Sequence, residues 1–227
     1  MIRMATTERR TESLEIREPR QERTRRAWAR VLDAGVSLVE EGGYEAFTIA
    51  ALCEKAQVAP RALYDRTTSK DALFLAVYEH GISRVAADQS VFADTDRWQA
   101  LPADTLITAA VTELTALFRR HAAFLKPVLL LSGAHPEVLR RGRSHVHALA
   151  DVFTALLLTV RDEITHPDPD TAVRQCFATV FSACVVRTAH GPDFATEEVD
   201  HSTFTDHLAL MARRSLLAAS PAAGHRV

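Results

Sequence analysis

Five residues set the chemistry open to this chain: Thr48, Pro60, Arg61, Tyr64 and Lys70. An arginine fork fits a guanine edge or a phosphate with two hydrogen bonds, and the guanine pair discriminates between bases by about 1–3 kcal/mol. Lys70 brings a point charge suited to phosphate, while Thr48 and Tyr64 bring hydroxyls that position a protein on a nucleic-acid backbone without reading its sequence. Pro60 suits the first turn of a helix, where its missing N–H is no loss, and so places Arg61 near that helix's N-terminus. Arg25 belongs to a second basic group with Arg20, Arg23, Arg26 and Arg30, opposed locally only by Glu22. Such a group sits against phosphates or simply starts a solvated helix. Thr48 has the plain alternative of a helix cap, and Tyr64 that of a half-buried packing ring. Asp65 repels phosphate, so it is expected to face away or to pair with Arg61 or Arg66.

These residues need a rigid carrier, and the surrounding sequence supplies helices. From Thr24, a plausible N-cap, apolar residues recur at Ala27, Trp28, Val31, Leu32, Leu38 and Val39 until Gly42-Gly43 ends the run. Thr48 caps a second helix that stops near Gln57. A third, two-turn helix is predicted from Pro60 to about Arg66. Ser69 caps a fourth, with Asp71 in its first turn and an inward stripe of Leu73, Phe74, Val77 and Ile82. A short helix pair joined by a sharp turn is a common means of placing one helix in the DNA major groove.

Beyond a loop at about 93–102 the pattern stays helical, with no alternating strand run. Helices are predicted over 103–120, 122–132, 137–165, 170–189 and 202–218, with breaks at Gly133–Pro136 and His166-Pro167-Asp168-Pro169. The fold expected is all-α: a flexible arm over 1–20, an N-terminal three-helix helix-turn-helix domain over 21–78, a larger helical domain over 79–220, and a tail over 221–227.

Composition narrows the function. The 227 residues are 47% apolar and 25% charged, with a net charge of −2, ordinary values for a soluble protein. No apolar run reaches the roughly 20 residues that span a bilayer, and the N-terminus lacks a signal-peptide core, so no membrane partner and a cytoplasmic location are expected. Cys53, Cys176 and Cys184 form no Cys-x-x-Cys pair and read as buried apolar residues. Ten histidines raise the question of metal, but His145 and His147 point to different helix faces and no His-Glu-x-x-His occurs. No metal and no cofactor are expected. Without a phosphate loop, nucleophile elbow or dinucleotide fingerprint, no enzyme activity is expected either.

Residues from about Arg25 to Val77 resemble the DNA-binding domain of TetR-family transcriptional regulators. The likeness rests on Val31-Leu32-Asp33-Ala34, Glu41-Gly42-Gly43-Tyr44 and Phe47-Thr48-Ile49-Ala50-Ala51-Leu52. It continues through Ala56-Gln57-Val58, Pro60-Arg61-Ala62-Leu63-Tyr64 and Ser69-Lys70-Asp71-Ala72-Leu73. The resemblance implies a homodimer that binds double-stranded DNA at a palindrome, usually as a repressor, and is released by a small-molecule effector. It also implies that the larger domain binds the effector and dimerises. Lys70 matches the family's phosphate-contacting lysine. The chain departs from the pattern at Gln57, where a glycine is usual, at Ala59 and Ala62, where hydroxyls are common, and at Thr67, where an aromatic packs the fourth helix. A helical small-molecule binder with weakened or lost DNA binding is the alternative reading.

By the same resemblance the last two long helices make a four-helix dimer bundle, with Phe177, Phe181, Leu208 and Met211 as interface candidates; those faces equally well pack inward. Candidates to line an effector cavity are Phe118, Phe124, Leu129, Leu156 and Phe177, with His121 as a polar contact. The bias toward aliphatic and aromatic residues points to a hydrophobic or amphipathic effector, and plain core packing is the alternative for each.

Overall fold

The computed structural model describes residues 22–67, 69–195 and 197–218; the expected arm over 1–20 and tail over 221–227 lie outside them. Ten α-helices, and no strand, occur among the described residues. The first, α1, spans Glu22–Ala46, so Thr24 lies inside it rather than capping it. The glycine pair opens α1 as expected: Gly42 leaves helical geometry, and Gly43 takes φ +66°, a conformation that any side chain would strain. The bend turns Phe47 into the core and sets the Tyr44 ring edge-on to Phe74 at 4.8 Å.

Three further helices complete the N-terminal domain. They are α2 (Ile49–Ala56), α3 (Pro60–Tyr64) and α4 (Lys70–Gln89). Val31, Leu52, Leu63, Leu73 and Val77 fill the space between them, each 2% exposed or less. Where α1 crosses α4, Gly35 meets Val77: a Cβ at position 35 would stand only 2.3 Å from Val77 Cγ2. The missing side chain lets the two helices touch backbone to side chain, which fixes the start of α4 against the domain.

The larger body consists of α5 (Thr95–Trp98), α6 (Ala103–Arg120), α7 (Ala122–Ser132), α8 (Pro136–Leu157), α9 (Pro169–His190) and α10 (His201–Leu217). Helix α6 packs along α10, where the hydroxyls of Thr115 and Thr205 share a buried 3.0 Å hydrogen bond. Helix α9 packs on α7, α8 and α10. Aspartates accept N–H bonds at two helix starts, Asp168 from Thr171 and Asp200 from Thr203.

The helix predicted over 137–165 is shorter than expected. Helix α8 ends at Leu157, and a 3-10 stretch (Leu158–Glu163) follows, with a break at Val160. The Thr159 hydroxyl donates to the Leu156 carbonyl at 2.7 Å, a local bond that competes with continued α-helix, and the β-branched pair Thr159-Val160 lowers helix propensity there.

Two elements join the halves. Helix α4 runs unbroken through residue 78, where the expected boundary falls, and carboxylate contacts tie it to its neighbours. His80 meets Asp33 of α1 at 2.8 Å, Glu79 meets Arg141 of α8 at 2.9 Å and His145 at 3.4 Å, and Asp88 meets His121 at 3.0 Å. Helix α7 packs on α1 from the other side, with Pro127 inside the helix and against Gly43.

Candidate nucleic-acid interface and effector chamber

The turn between α2 and α3 is the first element of the interface. Gln57 ends α2 in the left-handed conformation, φ 53° and ψ 50°, and is the only non-glycine with positive φ among the described residues. Its N–H bonds the carbonyl of Glu54, and Val58 N–H that of Cys53, so the carbonyl ends of α2 are satisfied. A side chain in that conformation costs about 1–2 kcal/mol, which this chain tolerates where a glycine would avoid it.

The turn delivers α3 with Leu63 buried as its anchor and Arg61, Ala62 and Tyr64 facing out. Pro60 stands at the first helical position, as expected, and Ala59 gives no side-chain cap. The helix is two residues shorter than predicted: beyond Tyr64 the chain closes a final turn through Arg66 N–H and Thr67 N–H to the Leu63 carbonyl. Tyr64 is 64% exposed, so its ring is not a packing anchor. Thr67 is buried in place of the larger aromatic, and its hydroxyl donates to the Ser69 carbonyl at 3.0 Å, closing the turn ahead of α4. Arg66 lies over the Trp28 ring of α1 at 5.5 Å, bracing the end of this segment.

Two helix starts flank α3. Thr48 caps α2, its hydroxyl accepting the Ala51 N–H at 3.1 Å, and remains exposed. Lys70 opens α4, with Ser69 as cap. The lysine ammonium rests over the Tyr44 ring at 4.1 Å, and the Tyr44 hydroxyl donates to Asp71 at 2.5 Å. Burial, followed by the hydrogen bond to Asp71, pushes the Tyr44 phenol up to about 12, so it stays a neutral donor. Tyr44 therefore orients the cation that Lys70 presents. In the sequence Tyr44 stands only as the end of the Glu41-Gly42-Gly43-Tyr44 motif; its spacing from Lys70-Asp71 gives no signal until the fold brings them together. On α1, Arg25 is exposed, and farther along the helix Glu41 accepts from Lys55 of α2 at 2.7 Å, a bond that lowers the Glu41 pKa.

This arrangement offers cations and hydroxyls on one small domain, with a short exposed helix between two helix N-termini. Residues 31–77 match the model of bacterial regulatory proteins of the tetR family. The N-terminal domain belongs to the TetR family. Over about 85% of its length the chain has the fold of TetR-family regulators. A transcriptional regulator from Rhodococcus sp. aligns with a TM-score of 0.62 at 17% identity, covering 85% of this chain and 98% of that one. Bacillus subtilis FadR, solved with stearoyl-CoA, gives 0.61 at 12% identity over 83% and 99% of the two chains. Salmonella enterica GusR gives 0.55 at 18% over 88% and 99%. No curated protein matches the chain by sequence.

In the larger TetR-fold body, an apolar chamber of about 90 Å³ lies beneath α4, between α6, α7, α8 and α9. Two of the residues expected to line a cavity, Phe118 and Leu129, line this one; Tyr78, Gln89 and His145 supply its polar side and were not anticipated. Tyr78 lies on the buried face of α4, between Phe74 and Ile82. The other expected liners are dispersed. Phe124 is buried against Gly81, where a Cβ would stand 2.2 Å from its ring, so it packs α7 onto α4. His121 ends α6 and is bound to Asp88. Leu156 lines a separate, more open groove with Phe92, Trp98 and Leu106. Phe177 sits in an aromatic row, 5.4 Å from Phe153 and 5.5 Å from Phe181.

The expected dimer residues divide similarly. Phe177 and Leu208 are buried within the protomer, so they are corrected to core residues: neither side chain has a surface to present to a partner. Phe181 is half-buried beside Phe118, and Met211 is 45% exposed. Among the described residues no helix is long and apolar enough to cross a membrane.

Proposed function

We propose that this protein is a ligand-responsive transcriptional regulator that binds a palindromic operator as a homodimer and is released by a small apolar or amphipathic effector. The observation that carries the reading is the exposed set on the TetR-family domain. Arg61 and Tyr64 on α3 are flanked by Thr48 and Lys70 at the starts of α2 and α4, with Lys70 oriented by Tyr44. Arg61 reads a base edge or a phosphate in the major groove; Lys70, Thr48 and Tyr64 fix the helix on the backbone, and Arg25 adds charge from α1. One five-residue helix reads too little DNA for specificity, which is why two copies are needed. The faces of α9 and α10 turned away from the core, including Met211, make the dimer in this reading.

The body responds to the effector because α4 belongs to both halves. Tyr78 lines the chamber from the same helix that Lys70 begins. An effector that prefers one placement of α4 over another shifts the population by its differential affinity, typically 1–3 kcal/mol. The stearoyl-CoA found in the Bacillus subtilis protein is far larger than the chamber beneath α4 as it stands, so a different class of effector is expected here.

Selection from random duplex DNA with the full chain, at two salt concentrations, tests the reading. An enriched palindrome whose affinity falls steeply with salt supports it, and Arg61→Ala and Lys70→Ala should each weaken binding, Lys70→Ala lowering the salt slope by about 1. No enrichment, with both substitutions silent, would leave a helical small-molecule binder that has lost DNA binding.

A further inference from the structure

The Tyr78 hydroxyl is one of two buried side-chain polar atoms that lack a hydrogen-bond partner among the described residues; the other is Arg213 Nε. The Tyr78 side chain is 1% exposed, and among the described residues no group bonds its hydroxyl. Most buried hydroxyls are paired, and an unpaired one is a standing cost to the fold. Burial drives the phenol pKa well above its usual value, so it remains a neutral donor and acceptor. The hydroxyl points at Gly142 of α8, where a Cβ would stand 3.4 Å away. The missing side chain at 142 leaves free space beside this unpartnered hydroxyl.

The rest of the wall limits what can enter. It is apolar apart from Tyr78, Gln89 and His145, and includes Ile82, Phe118, Leu149 and Phe181. No lysine, arginine or carboxylate lines it among the described residues. The His145 imidazole is 3.4 Å from the Glu79 carboxylate, which also holds Arg141, so the nearest charges are paired with one another behind the wall. A charged guest would lose its water and meet no free counter-charge. The volume of about 90 Å³ is below the roughly 150 Å³ cavity that takes a benzene ring, and the half-buried Leu129, Val146 and Phe181 mark the side that can yield.

We infer that the chamber beneath α4 takes a small uncharged molecule, one ring or a short chain bearing a single hydroxyl or carbonyl oxygen, which bonds the Tyr78 hydroxyl in the space left by Gly142. The inference rests on the effector-responsive reading above and names the class of effector. Its guest completes the one unsatisfied bond of the wall, on the helix that begins at Lys70, so recognition and response share an element.

The test uses the full chain without DNA and three probes of similar size: phenol, toluene and benzoate, titrated by calorimetry. Wild type should bind phenol at least tenfold more tightly than toluene, and benzoate not measurably. Tyr78→Phe should erase the preference while leaving toluene affinity unchanged, and should raise the melting temperature of the free protein. Gly142→Leu should abolish binding of both, with the helical circular dichroism retained. Equal affinity for phenol and toluene, a preference that survives Tyr78→Phe, or no binding up to the solubility of either probe would each overturn the inference. DNA selection reads the other half independently. A palindrome without probe binding sinks this inference alone, whereas probe binding without a palindrome sinks the regulator reading and leaves the chamber assigned.

Discussion

The crossing of α1 and α4 fixes where Lys70 stands, and Gly35→Ala puts that crossing under load. A Cβ at 35 would lie 2.3 Å from Val77 Cγ2 and 2.9 Å from Cγ1, more than 1 Å inside ordinary carbon–carbon contact on the first. Val77 has little rotamer freedom on a helix, so the strain passes to the helix axes. Overpacking of this kind costs about 1–3 kcal/mol, and alanine returns up to about 1 kcal/mol in helix propensity. The expected loss is therefore about 1–2 kcal/mol, or a fall of roughly 2–8 °C in melting temperature for a chain of this size. The assay is urea unfolding with a parallel DNA titration: stability falls and operator affinity falls with it, because the start of α4 moves. Val77→Ala removes the obstructing methyls, so the double variant should lose less than the two single losses combined, by at least about 0.5 kcal/mol. A Gly35→Ala protein as stable as wild type, or strict additivity in the cycle, would refute the close crossing.

Other outcomes follow from single contacts. Gln57→Gly relieves the left-handed strain at the end of α2 at the cost of glycine's greater freedom when unfolded; it should stabilise the chain by about 0.5–1 kcal/mol, read as a higher urea midpoint at constant slope. Tyr44→Leu removes the platform under Lys70 and should weaken operator binding severalfold while Tyr44→Phe, which keeps the ring, weakens it less; equal effects would mean that the ring does not position the lysine. Two carboxylates with strongly lowered pKa contribute to the acid limb of stability. Glu137 is held down to about 2 by hydrogen bonds from Arg140 and Arg141, and Asp200 to about 2 by the Thr203 N–H and then the Ser202 and Thr203 hydroxyls. Both pKa values are lower folded than unfolded, so their contribution is complete above the ordinary carboxylate range and is lost as pH falls through about 2. Glu137→Gln and Asp200→Asn should flatten the stability profile between pH 4 and 2 and leave it unchanged from pH 7 to 9, as followed by circular dichroism.

Local signals carried much of this molecule. Gly42-Gly43, the caps Thr48 and Ser69, and Pro60 mark helix ends because each acts through its own backbone, and those ends lie where the chemistry puts them; the His166–Pro169 block marks the start of α9 but not the end of α8. The Thr159 bond that ends α8 is equally local, yet the apolar period through Val160 and Ile164 masks it. Contacts between distant segments were not legible. Nothing in the spacing of Tyr44 and Lys70 announces that one ring carries the other's charge, and Tyr78 lies between Phe74 and Ile82 without showing what its hydroxyl faces. The apolar faces of α9 and α10 explain why the buried Phe177 and Leu208 stood among the dimer candidates. An apolar helix face reads the same whether its neighbour is α6 of the same chain or α9 of another, and only burial distinguishes Phe177 from Met211.

Pro127 has a mechanical consequence. Lacking an N–H, it leaves the Ala123 carbonyl without its usual partner, so α7 can flex at its middle with no hydrogen bond to break. One side of that soft joint touches the chamber through Leu125, Val128 and Leu129; the other meets Gly43, next to the tyrosine under Lys70. A rod with such a joint converts the girth of whatever lies beneath it into an angle. Grip on DNA would then vary smoothly with guest volume, a graded dial rather than an on–off catch.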